Sequence, residues 1–352
     1  MRAPLLVRAC RREPVERTPV WFMRQAGRCL VEYRELRERY GMLELARTPE
    51  LCARVTTMPV RRLGVDGAVL YADIMLPLDG MGVPFRIEPE VGPIVERPVR
   101  SAADIAALRV IDAREATPYL FETIHALRRD LPPEVALIGF AGAPFTLASY
   151  LIEGRASRDY ALTKRMLLGE PERWARLMDT LVEVLSRYLL AQVEAGVDVV
   201  QLFDSWAGSL APADYERSVL PYTRAIFERL EGTVPRIHFA TGNPALLPLV
   251  ADAGVEVVSV DWRQPLDVAW AQIGYDKGIQ GNLDPAVCLA PFPVVADRAR
   301  DVLRRAAGRP GHVFNLGHGV LPSTEADTLE RLAALVHEET ARAAAESATI
   351  AR

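Results

Sequence analysis

Two arginines, Arg24 and Arg28, flank Gln25-Ala26-Gly27 directly after the apolar run Pro19-Val20-Trp21-Phe22. A guanidinium is planar, permanently charged and forked, so two of them four residues apart form a clamp for carboxylate or phosphate groups. On a regular helix the same spacing would only stack the two charges on a solvated face. Gly27 adds a position where the backbone can turn tightly or approach a ligand closely. Further along stand Asp73 at the end of an apolar run, Tyr150, Ser205 beside Trp206, and His318 between Gly317 and Gly319. Glycines on both sides leave that imidazole free to reach a ligand. Each of the others also has a plainer reading. Asp73 and Ser205 could cap helices, Tyr150 could be core, and His238 lies in a strand-like run where a buried histidine is at home.

These residues must be positioned by the elements around them. Short apolar runs alternate with longer amphipathic stretches, and no Gly/Ser-rich linker divides the chain. Strands are expected at 20–23, 67–71, 136–140, 197–203, 236–239, 255–260, 278–281 and 313–316, and helices at 43–63, 119–129, 171–195, 212–230, 297–306 and 325–345. Strands that are apolar with little alternation, separated by helices, fit a closed parallel (β/α)8 barrel as a single α/β domain over residues 1–352. The first 15 residues and the alanine-rich tail from 346 are expected to be peripheral or frayed, and 82–99 reads as a hairpin outside the barrel. In this fold the active-site cleft forms at the C-terminal ends of the strands. Arg24, Arg28, Asp73, Tyr150, Ser205 and His318 all follow expected strands, so the fold brings them to one mouth.

Composition narrows the function. The 352 residues are 50% hydrophobic and 25% charged, which suits a globular protein, and a net charge of −4 argues against a nucleic-acid partner. No apolar run approaches the roughly 18 residues of a membrane helix. Arg8, Arg11 and Arg12 are followed by Glu13 and Glu16 with no serine nearby, unlike a transit peptide, so a cytoplasmic protein is expected. Cys10, Cys29, Cys52 and Cys288 are scattered and expected to be reduced thiols. Lys164 and Lys277 are the only lysines, and neither lies in a motif where a Schiff base would be wanted.

The stretch Pro19-Val20-Trp21-Phe22-Met23-Arg24-Gln25-Ala26-Gly27-Arg28, with Glu32-Tyr33-Arg34 after it, resembles the N-terminal signature of the uroporphyrinogen decarboxylase family. Gly142 to Tyr150 with Ile152-Glu153-Gly154, Gln201 to Gly208, and Phe314 to Gly319 resemble that family's other signatures in the same order. Cys29 and Val31 stand where a tyrosine and a proline are expected, and Arg155 interrupts an expected glycine-rich run. These departures bear on loop conformation more than on chemistry.

The resemblance implies a small-molecule substrate, uroporphyrinogen III, whose four acetate side chains lose carbon dioxide to give coproporphyrinogen III in haem biosynthesis. It implies a carboxy-lyase that needs no metal or organic cofactor, because a protonated pyrrole serves as the electron sink. It assigns Arg24, Arg28 and Asp73 to catalysis, and Arg24, Gln25, Arg28, Asp73, Tyr150, Ser205 and His318 to substrate binding, with His318 the alternative to Arg24 as acid. It also suggests a homodimer. A rival on the same barrel is a zinc-dependent corrinoid or thiol methyltransferase with a His-x-Cys segment, but Ala240 follows His238 where the cysteine should be, leaving Cys288 alone. A non-catalytic anion-binding barrel is the other alternative.

Overall fold

The computed structural model describes residues 2–27, 29–88 and 91–350, with side chains described as far as residue 344. Arg28 lies outside the described residues, as do residues 351–352, whereas the backbone of the tail expected to fray continues the helix Ala326–Ile350. In chain order the strands are β1 (Gly67–Val69), β2 (Phe85–Glu88), β3 (Gly92–Val95), β4 (Ala136–Gly142), β5 (Val199–Asp204), β6 (Arg236–Ala240), β7 (Val257–Ser259), β8 (Gly278–Gln280) and β9 (His312–Val313). Seven of them form one parallel sheet in the order β1-β4-β5-β6-β7-β8-β9. Every residue of β4 and β5 is buried. That is the pattern of a parallel sheet covered on both faces, and it explains why these runs show no polar alternation.

The sheet curls until its edges meet at the segment expected as the first strand. That segment is reduced to a bridge at Val20, paired in parallel with Phe314. Its backbone serves both edges: Phe314 N–H donates to Pro19 O at 2.9 Å on one side, and Asp66 N–H donates to Val20 O at 2.8 Å on the other. The eighth stave of the barrel is therefore present as a hydrogen-bonded seam. Inside the barrel a polar layer crosses the core, with Trp21 Nε1 donating to Gln280 Oε1 (2.9 Å) and Gln280 Nε2 donating to Ser259 Oγ (2.9 Å) and Gln201 Oε1 (3.1 Å).

The helices follow their end signals. Pro171 opens the helix Pro171–Ala195 and Gly196, at φ 118°, closes it. This helix buries Leu177, Leu181, Leu185 and Leu189 along one face, each worth about 1.5–3 kcal/mol of transfer free energy. Two helices expected to be continuous are broken. Pro49 forces Thr48 out of helical geometry (φ −106°, ψ 104°), separating Met42–Arg47 from Pro49–Leu63. Pro221 sits in the first turn of Leu220–Arg229, which starts anew after Pro212–Ser218.

The hairpin is found as β2 paired antiparallel with β3, outside the barrel sheet. It docks on the end of the helix Pro144–Glu153, with Val95 N–H donating to Gly154 O at 2.7 Å, and Arg155 bridges to Ile94. Residues 5–10 differ from the expectation of a peripheral N-terminus, because the helix Leu5–Cys10 buries Leu6, Val7, Arg8, Ala9 and Cys10.

Candidate active site

Beyond the seam the chain turns sharply through Met23–Gly27. The left-handed residue of this turn is Arg24 (φ 64°), while Gly27 is not left-handed and a methyl group there would lie 3.9 Å from its nearest neighbours. The conformational burden expected of the glycine thus falls on the arginine. Gln25 is fully buried, its Nε2 donating to Gly67 O at 2.8 Å and its Oε1 accepting from Phe22 N–H at 2.9 Å. It is a strut between the arginine loop and β1, and both ends of its amide are engaged within the protein.

The arginine loop is stitched to the histidine loop. Met23 N–H donates to Asn315 Oδ1 at 3.1 Å, Leu316 N–H donates to the same oxygen at 2.8 Å, and Val320 N–H donates to Met23 O at 2.9 Å. The exposed Arg24 side chain lies across Gly319 so closely that a methyl group there would come within 2.5 Å of Arg24 Cδ.

Asp73 follows β1. Its Oδ1 accepts from Met75 N–H at 2.9 Å, while the following helix Leu76–Gly80 has Met75 at its N-cap and no side-chain cap. Asp73 therefore fixes the turn ahead of the helix and does not cap it. Desolvation holds its carboxyl above the usual range, although the Met75 N–H and the Arg24 charge pull it back down. Tyr150 lies on the helix Pro144–Glu153, and burial, Asp73 and Tyr160 raise its phenol while Arg24 opposes them. Arg24, Asp73 and Tyr150 thus act on one another across the mouth, although they come from three separate loops and helices.

Ser205 is half-buried immediately after β5. Its neighbour Trp206 lies against Tyr150 with ring centroids 4.0 Å apart and against Tyr160 at 4.9 Å. His318 is half-buried with its ring edge-on to Phe239 at 5.7 Å, and its Nδ1 accepts from Gly319 N–H at 2.8 Å. A neutral imidazole in that arrangement carries its proton on Nε2, making it a donor there. Protonating Nδ1 would break the Gly319 bond.

The methyltransferase arrangement is not assembled. His238 in β6 is fully buried against Phe227 (5.5 Å), with its pKa pushed down to about 4 by burial. Burial pushes the Cys288 thiol up to about 12. Among the described residues no group of three or more His, Cys, Asp or Glu side chains could hold a metal ion. Two contributors to the mouth were not singled out in the sequence, Trp206 and Tyr160. Trp206 belongs to the third motif and could have been marked from it. Tyr160 lies outside every motif and carries no local signal.

Among solved structures the chain is similar to a methyltransferase from Methanosarcina mazei, with a TM-score of 0.78 and 20% identity over 96% of this chain and 99% of that one. This likeness extends to the barrel alone. Among curated proteins it is 53% identical over 94% of its length to a uroporphyrinogen decarboxylase of Sorangium cellulosum (95% of that protein). It is 50% identical over 94% to one of Carboxydothermus hydrogenoformans (95% of that protein) and 51% identical over 95% to one of Roseiflexus sp. (97%). The family model described as uroporphyrinogen decarboxylase matches residues 1–339. With that match spanning the seam, the arginine loop and the histidine loop alike, the chain belongs to the uroporphyrinogen decarboxylase family.

Proposed function

We propose that this protein removes the acetate carboxyl groups of uroporphyrinogen, giving coproporphyrinogen and carbon dioxide. The observation that carries the reading is the meeting of Arg24, Asp73 and Tyr150 at one mouth, where one cation and one carboxylate are within electrostatic reach of each other. A polycarboxylate needs guanidinium groups to hold side chains that repel one another. A reaction passing through a cation needs a fixed negative charge.

Decarboxylation leaves an electron pair on the methylene carbon. Protonating a pyrrole α-carbon creates an iminium-like ring, and when the C–CO2 bond breaks its electrons flow into that ring. The methylene carbon then takes a proton to become a methyl group, and the ring carbon loses the one it gained. Each cycle consumes one proton per carbon dioxide released and needs no oxidant or cofactor. In this scheme Asp73 accepts hydrogen bonds from the pyrrole N–H groups and offsets the ring cation, and Arg24 and Arg28 hold carboxylates. Tyr150, Ser205 and His318 orient the macrocycle. With Nδ1 already accepting the Gly319 N–H, His318 suits a donor's role through Nε2 better than that of the acid. The family resemblance further supports a single-domain cytoplasmic homodimer.

The test is anaerobic incubation with uroporphyrinogen, following coproporphyrinogen and the partly decarboxylated intermediates. Activity is expected to survive exhaustive EDTA treatment. Arg24→Lys and Arg28→Lys should each lower turnover by about 100-fold with thermal stability nearly unchanged, because lysine keeps the charge and loses the fork. Near-normal turnover in both variants would remove the clamp. Activity lost to EDTA and restored by zinc would favour the methyltransferase-like chemistry.

A further inference from the structure

A fully buried side-chain relay behind the mouth has no part in the chemistry above. Asp204 ends β5, and its Oδ1 accepts from the Thr146 hydroxyl at 2.8 Å. Thr146 Oγ1 in turn accepts from Trp206 N–H at 3.4 Å. Thr146 and Tyr150 stand four residues apart on the helix Pro144–Glu153, hence on the same face one turn from each other. Trp206, whose backbone Thr146 holds, places its ring 4.0 Å from that of Tyr150. The relay is therefore a loop of contacts: strand end to helix, helix to the backbone of the next loop, and that loop's aromatic ring back onto the helix beside Asp73.

We infer that Asp204 and Thr146 are positioning residues that fix the Trp206 ring on Tyr150 and so set where the Tyr150 hydroxyl sits relative to Asp73. A buried hydrogen-bonded chain of this kind leaves its last member a narrow range of positions, and misplacement of a substrate-orienting group by about 1 Å can lower a rate 100-fold. The relay needs an acceptor at Asp204 and not a charge. Burial raises the Asp204 carboxyl to about 7 against the Thr146 hydrogen bond, its Oδ2 finds no hydrogen-bond partner among the described residues, and the titratable side chain on which it acts is Tyr215, from the helix Pro212–Ser218. An uncharged amide of the same shape would serve as well.

The inference rests on the decarboxylase reading only for its activity readout. Three variants separate the cases. Thr146→Val keeps the volume and removes both hydrogen bonds, so kcat is expected to fall about 10- to 100-fold while KM changes less than about twofold. Asp204→Leu should behave like Thr146→Val. Asp204→Asn keeps an acceptor facing Thr146 and should stay within about twofold of the unmodified protein in kcat. The spectroscopic readout is the near-ultraviolet circular dichroism of the stacked Trp206 and Tyr150, identified by difference against Trp206→Phe. It should be lost in Thr146→Val and retained in Asp204→Asn. Should Asp204→Leu fail to fold, the other two variants still decide. Thr146→Val with unchanged kcat and unchanged dichroism overturns the inference, as does Asp204→Asn that loses both. If the unmodified protein does not act on uroporphyrinogen, the decarboxylase reading fails while the dichroism still tests the positioning.

Discussion

Arg24 and Asp73 each occupy a state that an isolated residue would avoid. Arg24 is held left-handed, which costs about 1–2 kcal/mol for a side chain with a Cβ. Asp73 is a half-buried carboxyl that desolvation holds above the usual range. Both conditions are set by neighbours, and both suit a group that meets charge arriving with the substrate. In Asp73→Asn the shape and one acceptor oxygen remain but the charge is gone, so turnover should fall by at least about 100-fold while product binding weakens much less. Asp73→Glu, which displaces the charge by about one methylene, should keep part of the activity. Selective loss of Tm in both variants, with turnover intact, would return Asp73 to a purely structural role. The pH dependence follows from the raised carboxyl. The ionised form exists only above its elevated pKa, so kcat/KM should rise with pH through a midpoint above the ordinary 3.8 of an aspartate, and this limb should be missing from the residual activity of Asp73→Asn. That Arg24, Asp73, Tyr150, Ser205 and His318 would follow strands of the barrel was legible from the apolar runs that precede them. The strut made by Gln25 was not legible, because a motif reports that a residue matters without saying which way its side chain faces. Only the Gly67 carbonyl, brought in by β1, reveals it as a strut.

At the level of elements, the mouth depends on two loops fitting against each other. Gly319 has no Cβ, and that absence is what the Arg24 side chain occupies. Gly319→Ala should push Arg24 aside and lower kcat/KM about 10-fold or more with little change in Tm, since the clash falls on a flexible exposed side chain. Unchanged kinetics would mean that the Arg24 position is not critical. The order of strands and helices was readable from periodicity, because β4 and β5 are buried at every position and the long helices carry apolar stripes. Their ends were harder to read. The breaks at Thr48 and Val219 reflect prolines one or two residues later, a local steric effect weaker than the apolar pattern that runs across it. The first strand was over-read for the opposite reason: Trp21, Phe22 and Met23 are as buried as any strand, yet after Val20 the chain leaves the sheet to make the arginine turn.

Across the whole molecule, closure of the barrel is concentrated at Asp66. Its carboxylate accepts from Val20 N–H (2.8 Å), from both Arg17 nitrogens (2.7 and 3.0 Å) and from His337 Nε2 (2.8 Å), joining the seam, β1 and the C-terminal helix. Burial disfavours its charge, but His337 and Arg17 more than compensate, and its pKa ends below the usual value. Asp66→Asn should lower stability by about 3–5 kcal/mol, seen as a lower urea midpoint. A depressed carboxyl contributes fully above its unfolded-state pKa and loses that contribution as pH falls through the folded value. The gap between the two proteins should therefore be widest near neutrality and close in acid. An equal gap at all pH values would show that the carboxylate's charge is not what matters.

The seam also dictates when the site can exist during synthesis. Met23 and Asn315 are 292 residues apart in the chain and in contact in the fold, so the arginine loop leaves the ribosome long before the loop it must meet. Joining ends so distant costs on the order of 5 kcal/mol in chain entropy, recovered only when β9 arrives with the histidine loop behind it. A nascent chain can thus build the strands from β1 to β8 while remaining unable to grip a substrate, and the reaction begins only once β9 and the histidine loop have followed.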